Sequence, residues 1–274
     1  MTTVTAASTA TAPPARTSAG GHVLGDALTI AWRNLKGMTR TPQVIVFSTI
    51  QPVIFVLNFR YVFGGALSGA LPQGVPYVDF LMPGIFVQTV AFGSTQIAIG
   101  MATDLNNGLI ERFRSLPMAR SAVLAGRTLS DLVRNTFVVL LMLAVGFAVG
   151  FRIHAGIPAL VAAFLILTLF AFSLSWVFAT IGLAIAEPEA AQAATFPLMA
   201  VLVFASTAFV PARSMPGWLQ AYAAHQPVSD VADAMRSLVL GGPTGGNVLI
   251  ALAWCVGIVV VFAPIAVLRY RRVG

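Results

Sequence analysis

Apolar residues fall along the chain in six long runs, at about residues 43–63, 80–102, 130–151, 158–185, 192–210 and 247–268, separated by shorter polar stretches. At a rise of ~1.5 Å per residue, roughly 20 apolar residues cover the hydrocarbon core of a bilayer, so each run predicts a transmembrane helix. Ahead of the first run, residues 24–40 place Leu28, Ala31, Trp32 and Leu35 at helical spacing, with Arg33, Lys36 and Arg40 at other angles or at the end. That pattern predicts a basic amphipathic helix lying in the headgroup layer. The polar segment between the fifth and sixth runs is the longest. Within it Val228, Val231, Ala232, Met235, Leu238 and Val239 recur at helical spacing, and Asp230, Asp233 and Ser237 take the other side. Ser229 is placed to cap this helix, Asp230 suits its first turn, Arg236 its last, and Gly241 with Gly242 ends it ahead of Pro243. Trp218, Leu219 and Tyr222 form a second, shorter patch with interfacial aromatics. Two short helices that dip into the outer leaflet and return are expected here.

Composition agrees with a bilayer setting. The chain has 274 residues, 58% hydrophobic and 9% charged, against about 25% charged in soluble domains, and its mean hydropathy is +0.88. The predicted class is all-α integral membrane: six transmembrane helices, an amphipathic interface helix at the N-terminal side and re-entrant extracellular helices. Residues 1–22, rich in Thr, Ala, Ser, Pro and Gly and without the apolar core of a cleavable signal, read as a disordered cytoplasmic tail; 23–274 read as one membrane domain.

The net charge of +7 sets orientation rather than pointing to nucleic acid. With six spans both termini share a side. Assigning it to the cytoplasm puts Arg16, Arg33, Lys36, Arg40, Arg112, Arg114, Arg120, Arg127, Arg134, Arg269, Arg271 and Arg272 inside, and leaves Arg60, Arg152, Arg213 and Arg236 outside. The expected localisation is therefore a multi-pass protein of the bacterial cytoplasmic membrane. The segment between spans four and five, with Glu187, Pro188 and Glu189, reads as a short cytoplasmic turn.

Several chemistries lack their residues. The one lysine, Lys36, does not follow P-loop glycine spacing, and neither an H-E-x-x-H nor a G-x-S-x-G occurs. The single cysteine, Cys255, has no thiol to pair with, and His22, His154 and His225 show no metal-ligand spacing. An enzyme is not expected, nor any cofactor or metal held by this chain. In the second span Gln88, Thr89, Thr95 and Gln96 recur on one helical side, a polar stripe that lipid cannot satisfy. It serves either to hydrogen-bond neighbouring helices or to line a substrate path. Gln88, Thr95 and Gln96 are the candidate polar lining, with Phe55, Phe86 and Phe92 as its apolar part.

The stretch ERFRSLPMARSAVLAGR, 111–127, concentrates charge between two apolar runs. Leu109, Phe113 and Leu116 share one helical side, Glu111, Arg112 and Arg114 take others, and Pro117 turns the chain. An orientation-setting loop needs the charge alone; a docking element needs the apolar side and the bend as well. This stretch resembles the cytoplasmic loop of ABC type 2 transporter permeases of the daunorubicin-resistance type. The six spans in order, the amphipathic helix before the first, and MPGWLQAYAAHQPVSDVADAMRSLVLGG before the last share the resemblance. It implies the transmembrane subunit of an ATP-binding cassette exporter that pairs with a second permease, the same or related, and with separate ATPase subunits that bind ATP and Mg. On that resemblance Glu111, Arg112, Phe113, Arg114, Leu116 and Pro117 belong to the helix that couples to the ATPase. Trp32, Arg33 and Lys36 belong to the connecting helix, and Trp218, Tyr222, Asp233 and Arg236 to the re-entrant extracellular helices. It also implies export of a hydrophobic small molecule such as an antibiotic, with a lipid or lipid-linked glycan as the alternative cargo. A channel or a non-transporting membrane anchor is the alternative from another class.

Overall fold

The computed structural model describes residues 42–69, 71, 75–108 and 120–272. Among them the secondary structure is entirely helical. Helix α1 (Pro42–Leu57) runs through a π-helical turn (Asn58–Phe63) into a short α2 (Gly64–Ser68). Then come α3 (Tyr77–Asn106), α4 (Arg120–Val149), α5 (Gly156–Ala184), α6 (Pro188–Phe204), α7 (Gly217–Ala223), α8 (Pro227–Leu240) and α9 (Gly245–Arg272). Five stretches among the described residues are long and apolar enough to cross a membrane: Ile50–Leu67, Tyr77–Asn106, Thr128–Val149, Gly156–Ala184 and Gly245–Tyr270.

Helix α6, from the fifth apolar run, is shorter at 17 residues, or ~25 Å. The run continues in sequence, but the helix stops because residues 205–210 leave it in turns that α8 holds. The Ser229 hydroxyl accepts from the Thr207 amide at 3.0 Å, and Gln226 Nε2 donates to the Ala205 carbonyl at 3.2 Å. Ser229 is thus spent on this neighbour rather than on a cap. Gln226 stands at the N-cap and Pro227 opens α8, where a missing N–H costs nothing. At the other end Gly241 adopts φ +82°, the left-handed geometry of a glycine C-cap.

Helix α3 is the axis of the bundle, packed against α4, α5, α6 and α8. Of its apolar window 72% is buried, against 11% for α9, so α3 is protein-facing on most sides and α9 is largely exposed. Its contacts are close because small residues sit at them. A Cβ on Gly182 of α5 would come within 2.4 Å of the Ala98 carbonyl oxygen, and one on Gly84 within 1.8 Å of that of Ala208. Helix α9 is tied to α5 by a hydroxyl: Ser173 Oγ donates within 3.0 Å of the Cys255 carbonyl while also reaching its own Leu169 carbonyl at 2.8 Å. The α4–α5 connection folds over the end of α8, where the His154 and Ala155 amides donate to the Val239 carbonyl at 3.0 and 3.3 Å. The Arg152 amide meets the buried Asp79 carboxylate at 2.9 Å.

Candidate transport path

The polar residues of α3 do not form one continuous surface. Gln88, Thr89 and Thr95 are buried, whereas Gln96 is exposed. Rotation does not separate them, since at 3.6 residues per turn Gln96 lies roughly 80° and the buried Thr89 roughly 100° round from Gln88; Gln96 stands about two turns further along the helix, where that side is open. The two threonines turn their hydroxyls back onto their own helix, Thr89 to the Ile85 carbonyl and Thr95 to that of Phe92, each at 2.7 Å. Gln88 differs: its Oε1 is buried with no hydrogen-bond partner among the described residues. A buried amide oxygen left unpaired costs ~1–3 kcal/mol, which makes Gln88 the polar atom of this stripe with unspent bonding capacity.

The aromatic candidates separate in the same way. Phe86 is buried and set edge-on to Phe151, at 6.1 Å between centroids. Phe92 tilts against Phe196 of α6 at 5.8 Å. Phe55 of α1 joins a cluster that sequence reasoning missed. Phe209 stacks on Phe59 at 4.7 Å with 7° between planes, and lies 5.9 Å from Phe55 and 5.7 Å from Phe204. The cluster joins α1, the π-helical turn, the end of α6 and the turn after it; Phe204 and Phe196 remain exposed. Its local signal was the four-residue spacing of Phe55, Phe59 and Phe63, but Phe204 and Phe209 come from another part of the chain. Gln88, Phe92 and Gln96 therefore sit on α3, and the aromatic wall is built by α1 and α6 beside it.

At the Tyr77 end of α3 the chain is closed by α8, and the short α7 packs on the helical turn Ala212–Ser214 just before it. Trp218 and Tyr222 are exposed, at 76% and 41%, on the short α7. The sequence placed Arg236 in the last turn of α8, as a cation suited to a helix end; the structure puts it ahead of that turn and gives it another role. Helix α8 is buried on most sides, Ser237 included, so Arg236 turns inward. Its Nη2 donates to the Thr207 and Ala208 carbonyls at 2.7 and 2.8 Å, its Nε to the Phe80 carbonyl at 3.0 Å, and its Nη1 to Asp233 Oδ1 at 2.7 Å. The guanidinium also lies over the Phe80 ring, 3.7 Å from its centroid. Burial lowers the Arg236 pKa from its ordinary value and the Asp233 carboxylate raises it. Asp233 itself is half-buried. Tyr77 Oη closes the same corner by donating to the Phe209 carbonyl at 3.1 Å.

A second buried ion pair was also missed. Arg134 of α4, read as part of the charge that sets orientation, pairs inside the bundle with Asp131, which the sequence reading did not single out. Asn135 Nδ2 donates to Asp131 Oδ2 at 3.1 Å, and Arg134 Nη2 donates to the Gly93 carbonyl of α3 at 2.6 Å. The i, i+3, i+4 spacing of Asp131, Arg134 and Asn135 was the available sign.

The coupling residues Glu111, Arg112, Phe113, Arg114, Leu116 and Pro117, and Trp32, Arg33 and Lys36 of the expected interface helix, lie outside the described residues. Among the described residues no group of three His, Cys, Asp or Glu side chains is placed to hold a metal.

Comparison with known proteins gives this architecture a context. The chain is 35% identical over 261 residues to the daunorubicin resistance ABC transporter permease protein DrrB1 of Streptomyces coeruleorubidus, covering 94% of this chain and 89% of that one. It is 29% identical over 240 residues to the probable doxorubicin resistance ABC transporter permease protein DrrC of Mycobacterium tuberculosis, covering 88% and 86%. With DrrB of the same species it shares 27% identity over 195 residues, 68% and 66% of the two chains. Residues 26–240, which include the helices around α3 and the Arg236 corner, match the ABC-2 type transporter family. An apolar helical bundle with that match across most of its length belongs to the ABC-2 type transporter family.

Proposed function

We propose that this chain is the membrane permease of an ATP-driven exporter of hydrophobic drugs, working with a separate ATPase subunit and a second permease. The observation that carries the reading is the 35% identity, over 94% of this chain, to a daunorubicin resistance permease. In this reading the polypeptide crosses the bilayer six times, by α1 with its π-helical turn and α2, then α3, α4, α5, α6 and α9. Helices α7 and α8 re-enter from outside, and both termini are cytoplasmic. The charge distribution supports that orientation. Residues 24–40 lie along the inner surface, and Glu111 with Phe113 seats the permease on the ATPase.

ATP hydrolysis then belongs to the partner, whose closure shifts the permease between inward- and outward-open populations. Cargo runs beside α1, α3 and α6, past Gln88, Phe92, Gln96 and the Phe55 cluster. Apolar walls with one unspent amide suit a lipophilic molecule carrying few hydrogen-bonding groups. The alternatives are a lipid or lipid-linked glycan as cargo, and a channel or plain anchor in place of a transporter.

The test is co-purification with candidate ATPases in mild detergent, followed by doxorubicin uptake into inverted vesicles. Wild type should hold one ATPase and drive ATP-dependent uptake, and Phe113→Asp should lose both. Retention of the ATPase without uptake of any cargo would leave an anchor, and uptake without ATP a channel.

A further inference from the structure

The ion pair on α4 does more than neutralise a charge. Asp131 and Arg134 are buried at 9% and 8% exposure, with Asn135 at 5%. The other charged residues in the apolar windows of α3 and α9, Asp79, Asp104 and Arg269, fall in end turns. Gly93, by contrast, stands near the middle of α3, and Arg134 near the middle of α4. Each lies roughly 20 Å along its helix from the residue, Asn106 or Arg120, where that helix meets the 109–119 segment.

The contact needs three things at once. A carbonyl inside a helix is engaged through one lone pair and offers the second, which Arg134 takes at Gly93. Asp131 balances the guanidinium that would otherwise be alone in an apolar bundle, and Asn135 holds the second carboxylate oxygen. Gly93 supplies the space, since a Cβ there would come within 2.4 Å of Asn135 Oδ1. Fixing one mid-helix carbonyl from the side sets how α3 is turned about its own axis. The residues that turn with it are Phe92, against Phe196 of α6, and the exposed Gln96.

We infer that Asp131, Arg134 and Asn135 are positioning residues that lock α4 to α3 at Gly93, so that the two helices act as one lever on the candidate path. This rests on the permease reading. Displacement in the transport cycle then falls between this α3–α4 unit and its neighbours, chiefly α1, and leaves the Gly93 contact closed.

The experiment uses the full chain with its ATPase in vesicles, with doxorubicin as the probe. The double variant Asp131→Asn, Arg134→Met removes both charges together, so no unpaired charge is left buried, and it also removes the bond to Gly93. Expected are ATPase recovery and ATP hydrolysis within about twofold of wild type, and doxorubicin moved per ATP lower by about tenfold, the scale of a modest coupling energy. An unchanged ratio overturns the proposal. An independent arm removes the native thiol with Cys255→Ala and introduces Gly93→Cys with Asn135→Cys. Transport that survives oxidation of this pair supports a contact that stays closed. Transport lost on oxidation and regained with reductant shows that the helices must part there, and overturns it. A wild-type chain that holds no ATPase sinks the permease reading instead, so the two failures are told apart before any variant is made.

Discussion

Arg236 shows how much one side chain organises at the Tyr77 end of the bundle. It joins the start of α3 and the turn after α6 through the Phe80, Thr207 and Ala208 carbonyls, and its own helix through the Asp233 carboxylate. Arg236→Ala removes the side-chain donor of the Thr207 and Ala208 carbonyls, while the half-exposed Asp233 keeps its bond from Thr207 Oγ1 at 3.3 Å, and should cost ~1–3 kcal/mol in detergent unfolding. Arg236→Lys keeps the charge but not the planar fork, and should recover only part of that loss. Asp230 offers a separate test. Burial raises its pKa from the ordinary 3.8, ahead of the lowering effect of the bond from Trp254, which donates to its carboxylate at 2.7 Å. A raised folded-state value means stability that is full below pH 3.8 and is lost as pH climbs through the folded-state pKa. Asp230→Asn should therefore flatten the pH dependence of the melting temperature and raise it at neutral pH, as thermal scans over acid to neutral buffers will show. The apolar stripe of α8 was legible in the sequence because it is local. The inward turn of Arg236 was not, because its acceptors at Phe80, Thr207 and Ala208 lie far along the chain.

At the scale of elements, hydrophobic runs of this length leave little freedom: backbone groups in lipid must bond within the segment, so the runs become helices. How the helices meet is a matter of small residues, and the sequence does not mark which glycine faces which neighbour. Gly182→Val on α5 drives a branched side chain into the Ala98 backbone and should cost more than the ~1–3 kcal/mol of ordinary overpacking, since backbone cannot step aside. Ser173→Ala removes a single bond between α5 and α9 and should cost only ~0.6 kcal/mol. Comparing the two in chemical denaturation in one detergent separates steric fit from hydrogen bonding as the force between helices. The stripe on α3 was half legible. Its spacing put four polar residues on one side, but a helix buried almost all round hides three of them and exposes the fourth.

For the molecule as a whole, the apolar composition announced a membrane bundle, and the motif order announced a family that residues 26–240 match. What composition could not give is which helix lies inside the others. Cys255 reports on that packing: it is fully buried between α9 and α5, so maleimide should label it only after denaturation, and Ser173→Leu should make it reactive in the native bundle. In the six-crossing reading one further consequence follows from the short α6. At ~25 Å it is shorter than the ~30 Å hydrocarbon layer, while α3 beside it has length to spare. Lipid next to α6 must thin to meet its end at Phe204, leaving a dimple in the bilayer surface on the flank where the phenylalanine rings are exposed. Drug export should then respond to acyl-chain length, fastest in thin bilayers that need no bending and slowing as the membrane thickens.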